Sequence, residues 1–207
     1  VLLEDMGLVD KVQFLELCWD PSFLEELSIP SFSVEGYLFP ETYYLARGTS
    51  ARKIIRNFVD MFWSRVPDEY LERARTVNLS IHQALAMASV IEKETGLAGE
   101  MGLISSVFHN RIAKKMKLQS DPTAIYDILP YGGRVLREHL FRKTPFNTYQ
   151  VSGLPLSPIS NPGILALHSA LYPQKTEYIF FVSRRDGSHH FSKTYDEHKA
   201  AIEKYLK

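Results

Sequence analysis

Apolar residues at helical spacing mark the longest elements of the chain. Between residues 50 and 66, Ile54, Ile55, Phe58, Val59, Phe62 and Trp63 fall on one face, and Ser50 stands where an N-cap belongs. A second helix is predicted from Ser80 to about Thr95. Ser80 with Gln83 makes a capping-box pair, and Gly96 is a stop signal. Along it, Ile81, Leu85, Ala88 and Glu92 form one stripe, and Ala84, Met87, Ile91 and Glu94 form the next. Both stripes are apolar until the last turn, where each ends in a carboxylate. A third helix over about 99–116 carries Leu103, Ile104, Val107, Phe108 and Ile112. Asp121 as a cap and Pro122 at the first position predict a short helix after it.

The remainder reads differently. Residues 1–28 are helical and acidic, with Leu8, Val12, Leu15 and Leu17 as apolar positions, and residues 29–47 are loop and short extended pieces. Residues 178–183 and 189–192 read as two strands joined by an Asp186-Gly187 turn, followed by an amphipathic helix over 194–207. The predicted class is therefore α+β: a helix-rich domain over 29–207 with a small antiparallel component that includes a C-terminal hairpin.

With 207 residues, 45% of them hydrophobic and 23% charged, the chain is long and apolar enough for a real core. That excludes disorder as the main state, and one cysteine, Cys18, excludes a disulfide scaffold. Cys18 sits among apolar neighbours and reads as core. Twenty-four basic and 24 acidic residues cancel, so nucleic acid is not an expected partner. The balance is uneven along the chain, because nine acids and two bases fall within residues 1–50. No run of about 20 apolar residues is present to span a membrane. The stretch from Thr144 to Gln174 holds no Asp, Glu, Lys or Arg, and its prolines and glycines break it into turns. Such a neutral polar segment suits either the wall of a sugar-binding groove or a buried connector.

Candidate chemistry gathers in three places. Glu92 or Glu94, at the end of an apolar helix, is expected to be partly desolvated. Burial raises a carboxyl pKa toward neutrality, as a general acid needs, but periodicity does not choose between the two. Gln119 and Asp121 offer hydrogen-bonding groups for sugar hydroxyls, with Asp121 equally readable as a helix cap. Asn147 and Tyr149 join Phe146 and Thr148 in a tetrad with the amide, hydroxyl and aromatic faces that bind sugars. His189, His190 and His198 lack tight metal-ligand spacing, and no metal or cofactor is expected.

Six ordered blocks carry a resemblance. EGYLFPETYYL stands at 35–45, ASVIEKET at 88–95, VFHNRI at 107–112, MKLQSDPTAIY at 116–126, TPFNTYQVSGLPLSPISNPG at 144–163 and HHFSKTYDEH at 189–198. In these the chain resembles the MltG (YceG-like) endolytic murein transglycosylases. The resemblance implies cleavage of peptidoglycan glycan strands between MurNAc and GlcNAc, leaving 1,6-anhydroMurNAc ends without water. It implies Glu94 as the single acid/base, and Glu35, Tyr37, Gln119, Asp121, Asn147 and Tyr149 as substrate-binding residues. It further implies an inner-membrane protein with one membrane-spanning helix, its catalytic part outside the cytoplasm near cell-wall synthesis proteins. Residues 1–28 would then connect to a LysM-like subdomain. The chain departs from the usual pattern at Phe146, where a tyrosine is common, at Leu156, where a proline is common, and at Glu41, where an aspartate is common. Phe146 removes one hydroxyl from the expected sugar surface. Three rival readings are a water-using glycoside hydrolase built on Asp121 or Glu35, a peptidoglycan-binding module without turnover, and a metal enzyme built on the histidines.

Overall fold

The computed structural model describes residues 2–128 and 134–207. Three short helices open the chain, α1 (Leu2–Asp5), α2 (Lys11–Cys18) and α3 (Pro21–Glu26), where the sequence reads as one helical region. Asp10 and Asp20 cap α2 and α3 through their carboxylates, which divides the region into separate turns. Cys18, Phe23, Leu24 and Leu27 from this region belong to the main core. Burial pushes the Cys18 thiol up to about 12, an unreactive core group as expected.

Next come α4 (Ala51–Arg65), α5 (Asp68–Thr76), α6 (Ile81–Glu94) and α7 (Ala98–Ala113). The expected Ser80–Gln83 capping box is present: Gln83 N–H donates to Ser80 Oγ at 3.1 Å, and Ser80 N–H donates to Gln83 Oε1 at 2.9 Å. Helix α6 is buried without interruption from Ala84 to Ile91, because α7 and α9 (Ile164–Leu171) pack on it. Two helices of the fold are not legible in the pattern. Helix α5 has only Tyr70 and Ala74 fully buried, too sparse a stripe to stand out. Helix α9 lies inside the neutral segment that reads as turns, and its N-cap, Gly163, has no capping side chain. The cap comes from Glu92, whose Oε2 accepts the Gly163 N–H at 3.1 Å.

Beyond α7 lie α8 (Asp121–Ile125), a 3₁₀ turn (Arg137–Phe141), and the hairpin β1 (Phe180–Ser183) and β2 (His189–Ser192), closed by α10 (Tyr195–Leu206). The register pairs Phe180 with Ser192 and Ser183 with His189. Together these elements bear out the α+β reading, including the hairpin. Helix α8 starts one residue earlier than expected. Ser120 is its N-cap, and Asp121 is the first helical residue.

Candidate active site around Glu94

Helix α6 delivers Glu94 at its last position, and the loop after α7 passes beside it. Glu94, Arg111, Gln119, Asp121 and Tyr149 line a cavity of about 460 Å³, completed by Phe180, His189, Tyr195 and His198 of the hairpin and α10. An apolar groove elsewhere is larger, at about 780 Å³. The Glu94 cavity joins a strongly perturbed carboxyl to convergent polar groups, and that decides the choice. Glu92 does not line it. Its carboxylate is engaged at Gly163, so the fold separates two glutamates that periodicity leaves equivalent.

Burial pushes the Glu94 carboxyl up to about 7, and the nearby Asp121 charge adds to this. A hydrogen bond from Ser120 and the charge of Arg111 pull the other way without prevailing. Ser120 Oγ donates to Glu94 Oε1 at 2.5 Å. Ser120 makes no side-chain cap for α8. Asp121 caps nothing either: its Oδ1 accepts the Tyr149 hydroxyl at 2.6 Å. Substituting Ser120→Ala removes a donor to the charged carboxylate. The Glu94 titration is then expected to move above 7, as read by carboxyl NMR, with little change in the fold.

A polar clip holds the loop that carries Ser120. Ser120 N–H donates to Thr148 Oγ1 at 3.0 Å, and Thr148 N–H donates to Thr123 Oγ1 at 3.1 Å. Thr123 Oγ1 donates its only hydrogen to Ser120 O at 2.6 Å. In the 2.7 Å contact between the two threonines, Thr148 is therefore the donor. Both threonines are wholly buried. Gln119, just before the clip, has a φ of 50°, a left-handed conformation uncommon for a side-chain-bearing residue. Arg111 braces the same loop, donating from Nη1 to Leu118 O at 2.6 Å and from Nε to Ile179 O at 2.7 Å. It thereby links the loop to the start of β1. These positioning residues escape a sequence reading because a buried hydroxyl and a buried guanidinium look like surface groups until their partners are known.

Of the seven expected site residues, the cavity brings together Glu94, Gln119, Asp121 and Tyr149. Three lie elsewhere. Tyr37 is 0% exposed, packs on Phe62 and pairs its hydroxyl with His82 Nδ1 at 3.0 Å. Asn147 is also 0% exposed. Its amide donates to Arg142 O at 2.8 Å and His139 O at 3.1 Å, and its Oδ1 accepts the Tyr149 N–H at 3.0 Å. Neither side chain has surface with which to touch a sugar, although Asn147 shapes the loop that presents Tyr149. Glu35 lies outside the cavity lining and accepts the Tyr126 hydroxyl at 2.6 Å, while burial raises its pKa. Phe146 packs on the Tyr126 ring at 4.7 Å and is buried, so the hydroxyl it lacks belongs to the core side of the loop. The three histidines do not converge on one point. His189 meets Glu100, His190 faces the Tyr205 ring, and His198 stacks on Phe180 at 4.9 Å.

Comparison with known proteins adds a family to this geometry. The model of the YceG-like family matches residues 5–204. An endolytic murein transglycosylase of Bacillus subtilis is 40% identical over 174 residues, which cover 84% of this chain and 48% of that protein. One of Streptococcus pneumoniae is 26% identical over 196 residues, covering 90% of this chain and 35% of its own length. The chain thus spans about half the length of the first relative and about a third of the second. A crystal structure of a yceG-like protein from Listeria monocytogenes superposes with a TM-score of 0.82 at 34% identity, covering 93% of this chain and 67% of that one.

Proposed function

The chain belongs to the YceG-like family, and on that premise we propose that it cuts peptidoglycan glycan strands as a lytic transglycosylase, with Glu94 as its acid and then its base. One observation carries the assignment of the residue. Glu94 is a carboxyl whose burial raises it to about 7, and it borders a cavity with Asp121 and Tyr149. Near neutrality such a group holds a proton it can give away. The proton passes from Glu94 to the oxygen between MurNAc C1 and GlcNAc C4, and the C1–oxygen bond breaks. The MurNAc O6 then bonds to C1, and its proton passes to the Glu94 carboxylate. The acid is restored, the sugar closes to a 1,6-anhydro ring, and no water is consumed. A double-displacement or water-activating glycosidase would need a second working carboxylate. Asp121 is the other carboxylate in the cavity lining, and it is engaged with the Tyr149 hydroxyl.

The same reading treats residues 1–28 as the link to a LysM-like subdomain. It places the protein on an inner-membrane anchor, its catalytic part outside the cytoplasm beside cell-wall synthesis proteins. Among the described residues no helix is long and apolar enough to cross a membrane. Protease accessibility of the full-length protein in spheroplasts tests that placement.

Mass spectrometry of digested sacculi tests the reaction. Wild type and Glu92→Gln are expected to release fragments with anhydro ends, and Glu94→Gln about a thousandfold fewer. Reducing ends would mark a hydrolase. Binding without any cleavage would mark a binding module, and loss of cleavage on chelation a metal enzyme.

A further inference from the structure

His189 and Glu100 form a pair for which the proposed reaction gives no role. His189 opens β2, and its Nδ1 lies 2.7 Å from Glu100 Oε2. Its backbone N–H donates to Glu100 Oε1 at 2.9 Å. One carboxylate, from the first turn of α7, therefore holds both the ring and the main chain of the residue. The Phe181 ring stands edge-on to the imidazole, with centroids 5.5 Å apart and planes at 88°. The two side chains are mostly buried, at 11% and 15% exposure. His189 nevertheless borders the Glu94 cavity, whereas Glu100 contributes nothing to its lining. Nε2 lies on the ring edge remote from Glu100, in a residue that lines the cavity.

The hydrogen positions follow from the partner. An ionised carboxylate only accepts hydrogen bonds, so Nδ1 carries the hydrogen, and a neutral ring keeps its lone pair on Nε2. A carboxylate that fixes the tautomer and orientation of an imidazole is the usual way to aim the opposite nitrogen at another group. A purely structural tie between the hairpin and α7 needs only the Nδ1 side.

Resting on the reading of the cavity as a glycan site, we propose that His189 is a substrate-binding residue whose Nε2 accepts a hydrogen bond from a sugar hydroxyl beside Glu94. Glu100 acts through it as a positioning residue. The residue then serves the same bound strand as Glu94, from the hairpin side of the cavity.

Two substitutions separate this role from a structural one. His189→Asn puts an amide nitrogen near the Nδ1 position and keeps the tie to Glu100, with nothing at Nε2. His189→Gln reaches the Nε2 position with an amide. Soluble glycan strands are titrated by calorimetry into each variant in a Glu94→Gln background, and turnover and Tm are measured in the otherwise wild-type protein. His189→Asn is expected to keep its Tm and to bind strands about tenfold more weakly, the equivalent of one hydrogen bond. His189→Gln is expected to recover most of that loss. Equal binding and turnover by His189→Asn and wild type would overturn the proposal and leave a structural tie. Should the asparagine variant not fold, the glutamine variant decides: near-normal binding supports the role, and binding as weak as His189→Ala overturns it. If the wild-type protein neither binds nor cuts strands, the functional reading fails and this inference fails with it. Cutting by wild type with no effect of either variant defeats this inference alone.

Discussion

Glu94→Gln is expected to lose about a thousandfold in strand cleavage, within the range seen when a general acid is removed, and at the same time to become the more stable protein above neutral pH. The two effects share a cause. In the folded chain the carboxyl keeps its proton up to about 7, whereas its ordinary value is 4.5. Between those values the folded state binds more protons than the unfolded state, so stability falls as pH rises through the window. The amide never ionises and escapes that penalty, which amounts to about 3 kcal/mol once the window is passed. Below pH 4.5 both states of the wild type are protonated at this group, and the difference from the variant should vanish. Urea denaturation of both proteins across the window checks the sign. Equal stability at every pH would mean that Glu94 is an ordinary solvated carboxylate.

Gly36→Ala is expected to be the most damaging single-methyl change in the EGYLFP block. Gly36 has a φ of +92°, and a Cβ there would lie 2.6 Å from Pro158 Cβ and closer still to Pro158 Cγ. Its N–H donates to Asn161 Oδ1 at 2.7 Å, so the contact seats the neutral segment against this turn. The left-handed backbone costs about 1–2 kcal/mol for alanine, and forcing a methyl into a packed site adds about 1–3 kcal/mol. Together they predict a loss of about 3 kcal/mol, or a Tm lower by about 10 °C for a domain of this size. Gly48→Ala is the control. Gly48 has a φ of +82°, and a Cβ there would meet nothing within 4 Å, so only the backbone cost remains. Thermal melts showing the same loss at both positions would place the whole effect in the backbone and none in the Pro158 contact.

Much of this fold is legible in the sequence because it is local. The Ser80–Gln83 box, the apolar faces of α4, α6 and α7, and the Asp186-Gly187 turn each need only near neighbours. Helix α9 needs a distant one: its cap is a glutamate 71 residues earlier in the chain. The site divides along the same line. Glu94 is reached by resemblance, since helical spacing treats Glu92 and Glu94 alike, and only the packed structure shows Glu92 engaged as a cap. Tyr37 is expected at the sugar surface by resemblance, and Asn147 also because an amide is what sugars bind. In the fold those same groups pair with the half-buried His82 and with carbonyls of the 3₁₀ turn. Ser120, Thr123, Thr148 and Arg111 are unreadable for the converse reason, as their hydrogen bonds join segments far apart in the chain.

The central claim is that burial keeps the Glu94 carboxyl protonated close to neutrality. Carbon-13 NMR titration of the glutamate carboxyls, with Glu94→Gln identifying the signal, tests it directly. A midpoint near 7 is the expected result. A midpoint near the ordinary 4.5 would contradict it, because a carboxylate already ionised at neutral pH has no proton to give the glycosidic oxygen.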